Sequence, residues 1–186
     1  GGKARRGALF PHGGRGNRAR KGLGGAVNGR LACLLLGSNI QPERNLALGL
    51  EALRRHDQLQ VERESSVWRS PSEGFAGPDF LNMALLVRTP LSAQALKARV
   101  LRPLEASLGR VRTANKYAPR TFDADVIIYD GQVLDEALWK RVFLAVPVAE
   151  LLPDLVSPEG ERLSDAAGRL ARAYPIQLQP DALARR

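Results

Sequence analysis

The sequence predicts an α+β fold whose core elements follow the order β-α-β-β-α-β. Three observations support this prediction: apolar runs of strand length, two leucine-rich segments with helical spacing, and Gly or Pro breakers between them. This order is the ferredoxin-like pattern, in which the strands form an antiparallel sheet and the helices lie on one face. We therefore expect ligands to bind at the other face and its loops, with extra helices following the core.

The first half of the core contains one helix between apolar strands. Leu31 to Leu36 is a continuous apolar run that stops at Gly37-Ser38-Asn39, which is typical of a buried strand followed by a turn. Pro42 suits the first turn of a helix, and leucines then recur at helical spacing up to His56. Two further strand segments, separated by a Pro- and Gly-rich loop, are predicted at 59–69 and 80–87.

The second half contains a helix and the strand that carries the acidic residues. Ser92 can cap this helix, whose apolar residues recur every four positions until Gly109. Pro103 lies inside the pattern, so we expect the helix to be kinked or split there. A strand from Phe122 to Tyr129 then turns at Asp130-Gly131. Two C-terminal helical segments are predicted at 136–152 and 163–171.

The first thirty residues differ in composition from the rest. They contain ten glycines, eight lysines and arginines and no acidic residue. Such a segment cannot bury enough apolar surface to offset the entropy of ordering, so 1–30 is predicted to be a disordered basic arm. A cloning remnant, an over-extended start and an arm that binds nucleic acid nonspecifically are alternative explanations. We expect one nearly neutral domain over 31–175 and a tail over 176–186.

Several classes of protein are disfavoured by composition. No apolar run is long enough to span a membrane, and the arm lacks the Ser and Thr of a transit peptide, so a cytoplasmic protein is expected. Cys33 is the only cysteine, which excludes a disulfide within the chain, and its apolar surroundings predict a buried thiol. His12 and His56 form neither a catalytic triad nor a zinc pattern, and no Walker A motif is present.

The stretch from Lys116 to Ile128 runs from a basic loop into a strand with two aspartates. Alternation along a strand places Asp123 and Asp125 on one face, and carboxylates about 7 Å apart suit oxygen-loving cations such as Mg²⁺. The opposite face is predicted to hold Phe122, Ala124, Val126 and Ile128. The cations that could bind phosphate oxygens here are Arg110, Arg112, Lys116 and Arg120. A solvated charge run is the alternative reading of these basic residues.

A set of motifs in a fixed order points to a known family. The motifs are Leu36-Gly37-Ser38-Asn39, Ser70-Pro71 with Gly74, Phe80-Leu81-Asn82, Glu105, Gly109-Arg110-Val111-Arg112, Pro119 to Asp125, Arg141-Val142-Phe143, Pro147 and Pro153. From about Leu31 to about Leu163 the sequence resembles the 6-hydroxymethyl-7,8-dihydropterin pyrophosphokinase family, abbreviated HPPK. The resemblance implies that pyrophosphate is transferred from ATP to the pterin in folate biosynthesis and that AMP is released. It also implies that two Mg²⁺ ions serve as cofactors. We expect a monomer.

The resemblance also implies a role for each matching residue. Asp123 and Asp125 would bind both metal ions, and these two would be catalytic together with Arg110 and Arg120, which would stabilise the transferring group. The ATP site would be formed by Glu105, Arg112, Lys116, Arg120 and Arg141. The pterin site would be formed by Ser70, Pro71, Gly74, Phe80, Asn82, Asp123 and Phe143. Without the family, the favoured reading of Phe80 and Phe143 is that they are core residues at the ends of elements, and Glu105 with Arg112 could be an ordinary ion pair at a helix end.

Two alternatives stay open. The family usually carries a Pro-His pair before the residue that matches Arg141, whereas the stretch from Val133 to Trp139 has no His. A homologue that binds pterin and nucleotide but turns over weakly is therefore one alternative. The other is a nucleic-acid-binding module, because ferredoxin-like sheets and basic arms both occur in RNA-binding proteins. Against it, the two central strands offer only Phe80 as an aromatic on which a base could stack.

Overall fold

The structure is a computed structural model that describes residues 29–73, 77–111 and 118–184. Most of the predicted basic arm, residues 1–28, lies outside the described residues. The same holds for three predicted site residues, namely Gly74, Arg112 and Lys116. Within the described ranges, no helix combines the length and the apolar character needed to cross a membrane.

The strands of the described chain form one antiparallel sheet of seven strands. They are β1 (Arg30–Ser38), β2 (Gln60–Glu64), β3 (Trp68–Ser70), β4 (Phe80–Thr89), β5 (Asp123–Tyr129), β6 (Gln132–Val133) and β7 (Gln177–Leu178). Their order is β6-β5-β1-β4-β3-β7, and β2 also pairs with β4. The two long strands β1 and β4 are therefore central, and the predicted ferredoxin-like core is confirmed.

The helices occupy the positions that the periodicity predicts. They are α1 (Pro42–Arg54), α2 (Ala93–Leu96), α3 (Arg102–Ser107), α4 (Val142–Leu151) and α5 (Leu163–Ala173), with a 3-10 turn at Glu136–Trp139. Ser92 caps α2 by accepting a hydrogen bond from the Ala95 amide, as predicted. The predicted split near Pro103 takes the form of a π-helical turn (Lys97–Leu101) between α2 and α3.

Both faces of the sheet are covered. Alternate residues of β1 enter two separate cores, with Leu34 on the first face and Leu35 on the second. The first core is completed by α1 and by the α2 to α3 segment, and the second core by α4 and α5. The face that we expected to be open is thus closed over much of its area by the C-terminal helices. A pocket remains at one end of this face, lined by residues of β1, β4 and β5 and by the first turn of α4.

A bulge in β5 changes one predicted side-chain direction. Cys33 pairs with Ile128 and Leu34 pairs with Val126, so Ile127 has no partner of its own in β1. Ile128 therefore packs in the second core, and its predicted position on the face of Phe122 and Val126 is wrong. The aspartates precede the bulge, so the predicted alternation still applies to them.

The C-terminal segment, which we expected to be a tail, is packed on the fold. Strand β7 pairs with β3 at the edge of the sheet, and the Gln179 amide donates to the Val67 carbonyl at 2.8 Å. Beyond it, Ala182 and Leu183 pack against the first core. A two-residue strand has too short an alternation to be recognised in a sequence.

Candidate active site

The accessible end of the second face holds a pocket of about 440 Å³, a size that suits a small-molecule ligand. Its wall has two chemically different halves. One half is aromatic and amide-bearing, with Phe80, Asn82 and Phe143, and the other carries carboxylates and guanidinium groups. The residues that line the pocket are Leu35, Gly37, Ser70, Pro71, Glu73, Phe80, Asn82, Ala118, Arg120, Asp123, Asp125, Ile127, Asp135, Ala137, Arg141, Phe143 and Leu144.

The aromatic half is built on β4 and on the start of α4. Asn82 is only 3% exposed, and its Nδ2 donates a hydrogen bond to the Ser70 Oγ at 3.2 Å. Phe80 begins β4, and Phe143 lies in the first turn of α4 with the Arg141 guanidinium 5.9 Å from its ring centroid. A fixed amide beside aromatic rings can bind a flat heterocycle that has its own donors and acceptors.

The carboxylate half is built on β5. Asp123 and Asp125 face the same side, because their partners in β1 are Gly37 and Leu35, two residues apart on the pocket face. Each oxygen of Asp123 contacts an arginine, Oδ1 with Arg110 and Oδ2 with Arg120. Asp125 Oδ1 lies 2.6 Å from the Lys97 Nζ, which reaches it from the π-helical turn. The aspartates are thus charge-compensated by three cations.

Glu105 supports this half without lining the pocket. It is 3% exposed, and its Oε1 accepts from Arg110 and, at 3.1 Å, from the Ala124 amide. Strand β6 pairs with β5 only at Ile128 and Tyr129, so Glu105 satisfies an edge amide that lies outside that pairing. The carboxylate therefore fixes Arg110 against Asp123. A direct contact of Glu105 with a nucleotide stays a prediction.

Ser38 and Asn39, at the end of β1, position the loop that carries Arg120. The Asn39 Oδ1 accepts from the Arg120 amide at 2.7 Å, and the Asn39 amide donates to the Arg120 carbonyl at 3.1 Å. The Ser38 Oγ donates to the Thr121 carbonyl at 2.6 Å. Both residues belong to the motif that follows the first predicted strand, but neither was predicted to have a role in the site. The available signal was two polar residues directly after a buried strand, since buried polar groups require partners.

Most predicted site residues that the structure describes meet in the pocket. Those that line it are Ser70, Pro71, Phe80, Asn82, Arg120, Asp123, Asp125, Arg141 and Phe143. Arg110 contacts Asp123 from outside the lining. Sequence reasoning did not include Glu73, whose carboxylate lies 3.2 Å from the Arg141 guanidinium, or Asp135, which caps the 3-10 turn. Neither residue type carries a pattern that would single it out.

The carboxylates of the pocket fit a magnesium ion that takes some of its ligands from the protein and the others from a substrate. Within the described residues, no group of three or more His, Cys, Asp or Glu side chains could hold a metal ion. Of the carboxylates that line the pocket, Asp123 and Asp125 lie beside Arg110, Arg120 and Lys97, whereas Glu73 pairs with Arg141. One or two carboxylates completed by phosphate oxygens and water are the usual protein environment of Mg²⁺.

Comparisons with known proteins identify related sequences. The sequence profile of the 7,8-dihydro-6-hydroxymethylpterin-pyrophosphokinase (HPPK) family matches residues 33–153. A 2-amino-4-hydroxy-6-hydroxymethyldihydropteridine pyrophosphokinase of Methylorubrum extorquens is 38% identical over 149 residues, covering 75% of this chain and 92% of the relative. The Synechocystis protein of the same name is 36% identical over 132 residues, covering 66% and 67%.

A solved structure shows the same fold. The crystal structure of an HPPK-DHPS in complex with substrates superposes with a TM-score of 0.60, covering 77% of this chain and 44% of that one. The two sequences are 8% identical over this match, so the likeness concerns the fold alone. Because the family profile covers most of the chain and the Methylorubrum relative is matched over nearly its whole length, this chain belongs to the HPPK family.

Proposed function

We propose that this chain transfers the pyrophosphoryl group of ATP to the hydroxyl of 6-hydroxymethyl-7,8-dihydropterin, giving AMP and the pterin diphosphate in folate biosynthesis. Its relatives in Methylorubrum and Synechocystis are named for this reaction. The structural observation that carries the proposal is the divided pocket. One half, with Asn82 and two phenylalanines, suits the pterin ring, and the other, with two aspartates and arginines, suits phosphates.

The pterin is bound by the aromatic half in this proposal. The Asn82 amide pairs with the donor and acceptor edge of the ring, and the Ser70 hydroxyl fixes the orientation of that amide. Phe80 and Phe143 contact the ring faces, and Pro71 borders them in the pocket wall. The resemblance to the family adds Gly74 to the pterin site. Burying the amide against an apolar ligand would cost about 1–3 kcal/mol, so this site discriminates against rings without a matching edge.

In this proposal Asp123 and Asp125 would hold the two magnesium ions. When bound, the ions neutralise the phosphate charge and lower the pKa of the hydroxyl. To hold these ions, the two carboxylates would give up part of their contacts with Arg110, Arg120 and Lys97, which are their partners in this structure. Both aspartates therefore orient the acceptor as well as the donor.

The arginines stabilise the transferring group. The pterin oxygen attacks the β-phosphorus of ATP, the bond from that phosphorus to the α-phosphate oxygen breaks, and AMP leaves as the hydroxyl proton is released. Arg110 and Arg120 contact Asp123 in this structure. Their guanidinium groups can move to donate hydrogen bonds to the phosphate oxygens on which charge develops. Arg141, Arg112, Lys116 and Glu105 complete the ATP site in this proposal.

The reaction is tested by incubating the protein with ATP, Mg²⁺ and the reduced pterin and measuring AMP. We expect AMP formation that depends on the pterin, and its loss in Asp125→Asn, because one of the two metal-binding carboxylates is neutralised. Asp154→Asn is the matched control, since this side chain is 84% exposed and outside the pocket lining. Formation of ADP, or of AMP without pterin, contradicts the proposal.

One sequence feature supports a second candidate, a homologue that binds both ligands with weak turnover. The segment before Arg141 has no His and folds as the 3-10 turn, with Leu138 and Trp139 buried in the second core. Calorimetry that shows tight binding of pterin and ATP without AMP formation would support this candidate. The nucleic-acid alternative is less favoured as far as the sheet is concerned, because α4 and α5 cover much of the face on which bases would stack.

A further inference from the structure

Three residues form a row across the floor of the pocket. Gly37 of β1 pairs with Asn82 of β4 on one side and with Asp123 of β5 on the other. Directly paired residues in antiparallel strands point to the same face of the sheet. All three residues line the pocket, so Gly37 lies between the amide and the carboxylate on the ligand side. At this position the floor is bare backbone.

The backbone conformation does not explain the glycine. Gly37 lies within regular antiparallel pairing and has no positive φ, so other residues could adopt its conformation. The space above it does explain the glycine. A Cβ at position 37 would lie 2.9 Å from the Asn82 Oδ1 and 3.7 Å from the Phe80 Cδ1. Asn82 could not easily retreat, because it is buried and hydrogen-bonded to Ser70.

The row has the length of a ring with a short arm. Neighbouring strands lie about 4.8 Å apart, so the backbones at Asn82 and Asp123 are separated by roughly 10 Å. A bicyclic heterocycle whose edge is paired with Asn82 can extend a one-carbon arm across this distance to the carboxylates. In the next row, Leu35 stands between Ala84 and Asp125 and closes the floor with an apolar side chain. The bare strip is therefore one residue wide.

We infer that Gly37 is a specificity-determining residue: its missing side chain leaves the strip along which the arm of the acceptor reaches the aspartates. This inference rests on the proposed function and extends it, since it defines the acceptor as a flat bicycle with a hydroxyl on a short arm. Any side chain at position 37 would displace the Asn82 amide and divide the pocket into its two halves. The nucleotide, bound at the aspartate and arginine half, would be little affected.

The test compares Gly37→Ala with Gly168→Ala. Gly168 lies on α5, and a Cβ there would only make an ordinary 3.6 Å contact with the Arg172 side chain. Calorimetry measures binding of an ATP analogue with a methylene bridge between the α- and β-phosphates, and then binding of 6-hydroxymethyl-7,8-dihydropterin in its presence. We expect Gly37→Ala to weaken pterin binding at least tenfold and to change analogue binding less than threefold. Gly168→Ala should change neither.

The possible outcomes separate this inference from the proposed function. Pterin binding by Gly37→Ala within twofold of wild type would overturn the inference and leave the function intact. A wild-type chain that binds the analogue but not the pterin would overturn the function and the inference together. If Gly37→Ala misfolds and binds neither ligand, an NMR titration of the ¹⁵N-labelled wild-type chain with pterin tests the inference instead. Adding pterin should then shift the Gly37 amide signal more than that of Gly168, and an unmoved Gly37 signal would overturn the inference.

Discussion

Asn39 connects the two loops that border the pocket. Its Oδ1 accepts from the Arg120 amide at 2.7 Å, and its Nδ2 donates to the Pro78 carbonyl at 3.3 Å. The side chain is 3% exposed, so neither bond is replaced by bulk water if the amide is removed. Arg120 belongs to the phosphate half of the candidate active site, and Pro78 precedes the strand that carries Asn82. Asn39 is therefore a positioning residue for both halves.

We expect Asn39→Ala to lower kcat at least tenfold and to raise the KM for pterin, because Arg120 and the Pro78 loop both lose their anchor. The unmade bonds should also cost about 1–3 kcal/mol of stability. Asn39→Asp keeps the acceptor for the Arg120 amide but faces the Pro78 carbonyl with a second acceptor. It should therefore recover most of kcat while the KM for pterin stays high. Steady-state kinetics and urea unfolding check both variants.

Asn45→Ala is the control for this prediction. Asn45 is also buried, and its Nδ2 donates to the Ile40 carbonyl at 2.6 Å, but it does not line the pocket. The variant should be less stable than wild type with unchanged kcat and KM. If Asn39→Asp loses as much kcat as Asn39→Ala, the amide does not act through Arg120.

At the scale of elements, the π-helical turn between α2 and α3 brings a lysine to the acidic strand. The Arg102 amide donates to the Lys97 carbonyl, five residues back, which widens this turn before α3 begins at Arg102, with Pro103 in its first turn. Lys97 is the first residue of the turn, and its Nζ lies 2.6 Å from the Asp125 Oδ1. The π-helical turn thus places the Lys97 ammonium group beside an Asp125 oxygen that, in the proposed function, binds a metal ion.

Because Lys97 and a divalent ion compete for Asp125, Lys97→Met should bind the ion more tightly. The pair is about half exposed, with side-chain exposures of 45% and 47%, so its contribution is small. An exposed ion pair is worth about 0.2–1 kcal/mol, which corresponds to roughly 1.4-fold to fivefold tighter binding. Electron paramagnetic resonance of Mn²⁺ with the methylene ATP analogue measures this affinity without turnover.

Lys140→Met is the matched control, because Lys140 is exposed and lies outside the pocket lining. It removes the same charge from the chain, so it reports the long-range electrostatic effect alone. Weaker Mn²⁺ binding in Lys97→Met would contradict competition and would mean that Lys97 holds Asp125 in its binding position.

At the scale of the whole molecule, stability depends on a sheet buried on both faces. Cys33 shows this best, because it lies in central β1 within the second core and is fully buried. Burial raises the pKa of the Cys33 thiol from 9.0 to about 12, since the thiolate has no hydration there. The thiol is thus a small core residue, as predicted from its apolar surroundings.

This pKa difference predicts a loss of stability in alkaline solution. Between pH 9.0 and about 12 the unfolded chain releases the Cys33 proton while the folded chain retains it, so the free energy of unfolding falls as the pH rises. From pH 8 to 10 the loss should be greater in wild type than in Cys33→Ala, by about 1 kcal/mol. Urea unfolding of both proteins under reducing conditions at the two pH values measures it. Parallel loss in both proteins would contradict the burial effect.

Much of the fold was predictable because its signals are local. Apolar runs and leucine spacing located the long strands and helices, and a two-residue period placed Asp123 and Asp125 on one face. The bulge at Ile127 and the two-residue β7 were not predictable, because both depend on which partner strand supplies the hydrogen bonds. Closure of the second face by α4 and α5 likewise depends on how the C-terminal helices dock.

The sequence by itself determined the element order, the family and the residue types that meet in the candidate active site. Only the tertiary structure decided their partners: Asn39 binds Arg120 across 81 positions, Lys97 reaches Asp125 across 28, and Gly37 comes to lie between Asn82 and Asp123. The physical reason is that helix and strand periods are set by neighbouring residues, whereas charge pairing and free space depend on contacts between segments distant in the chain.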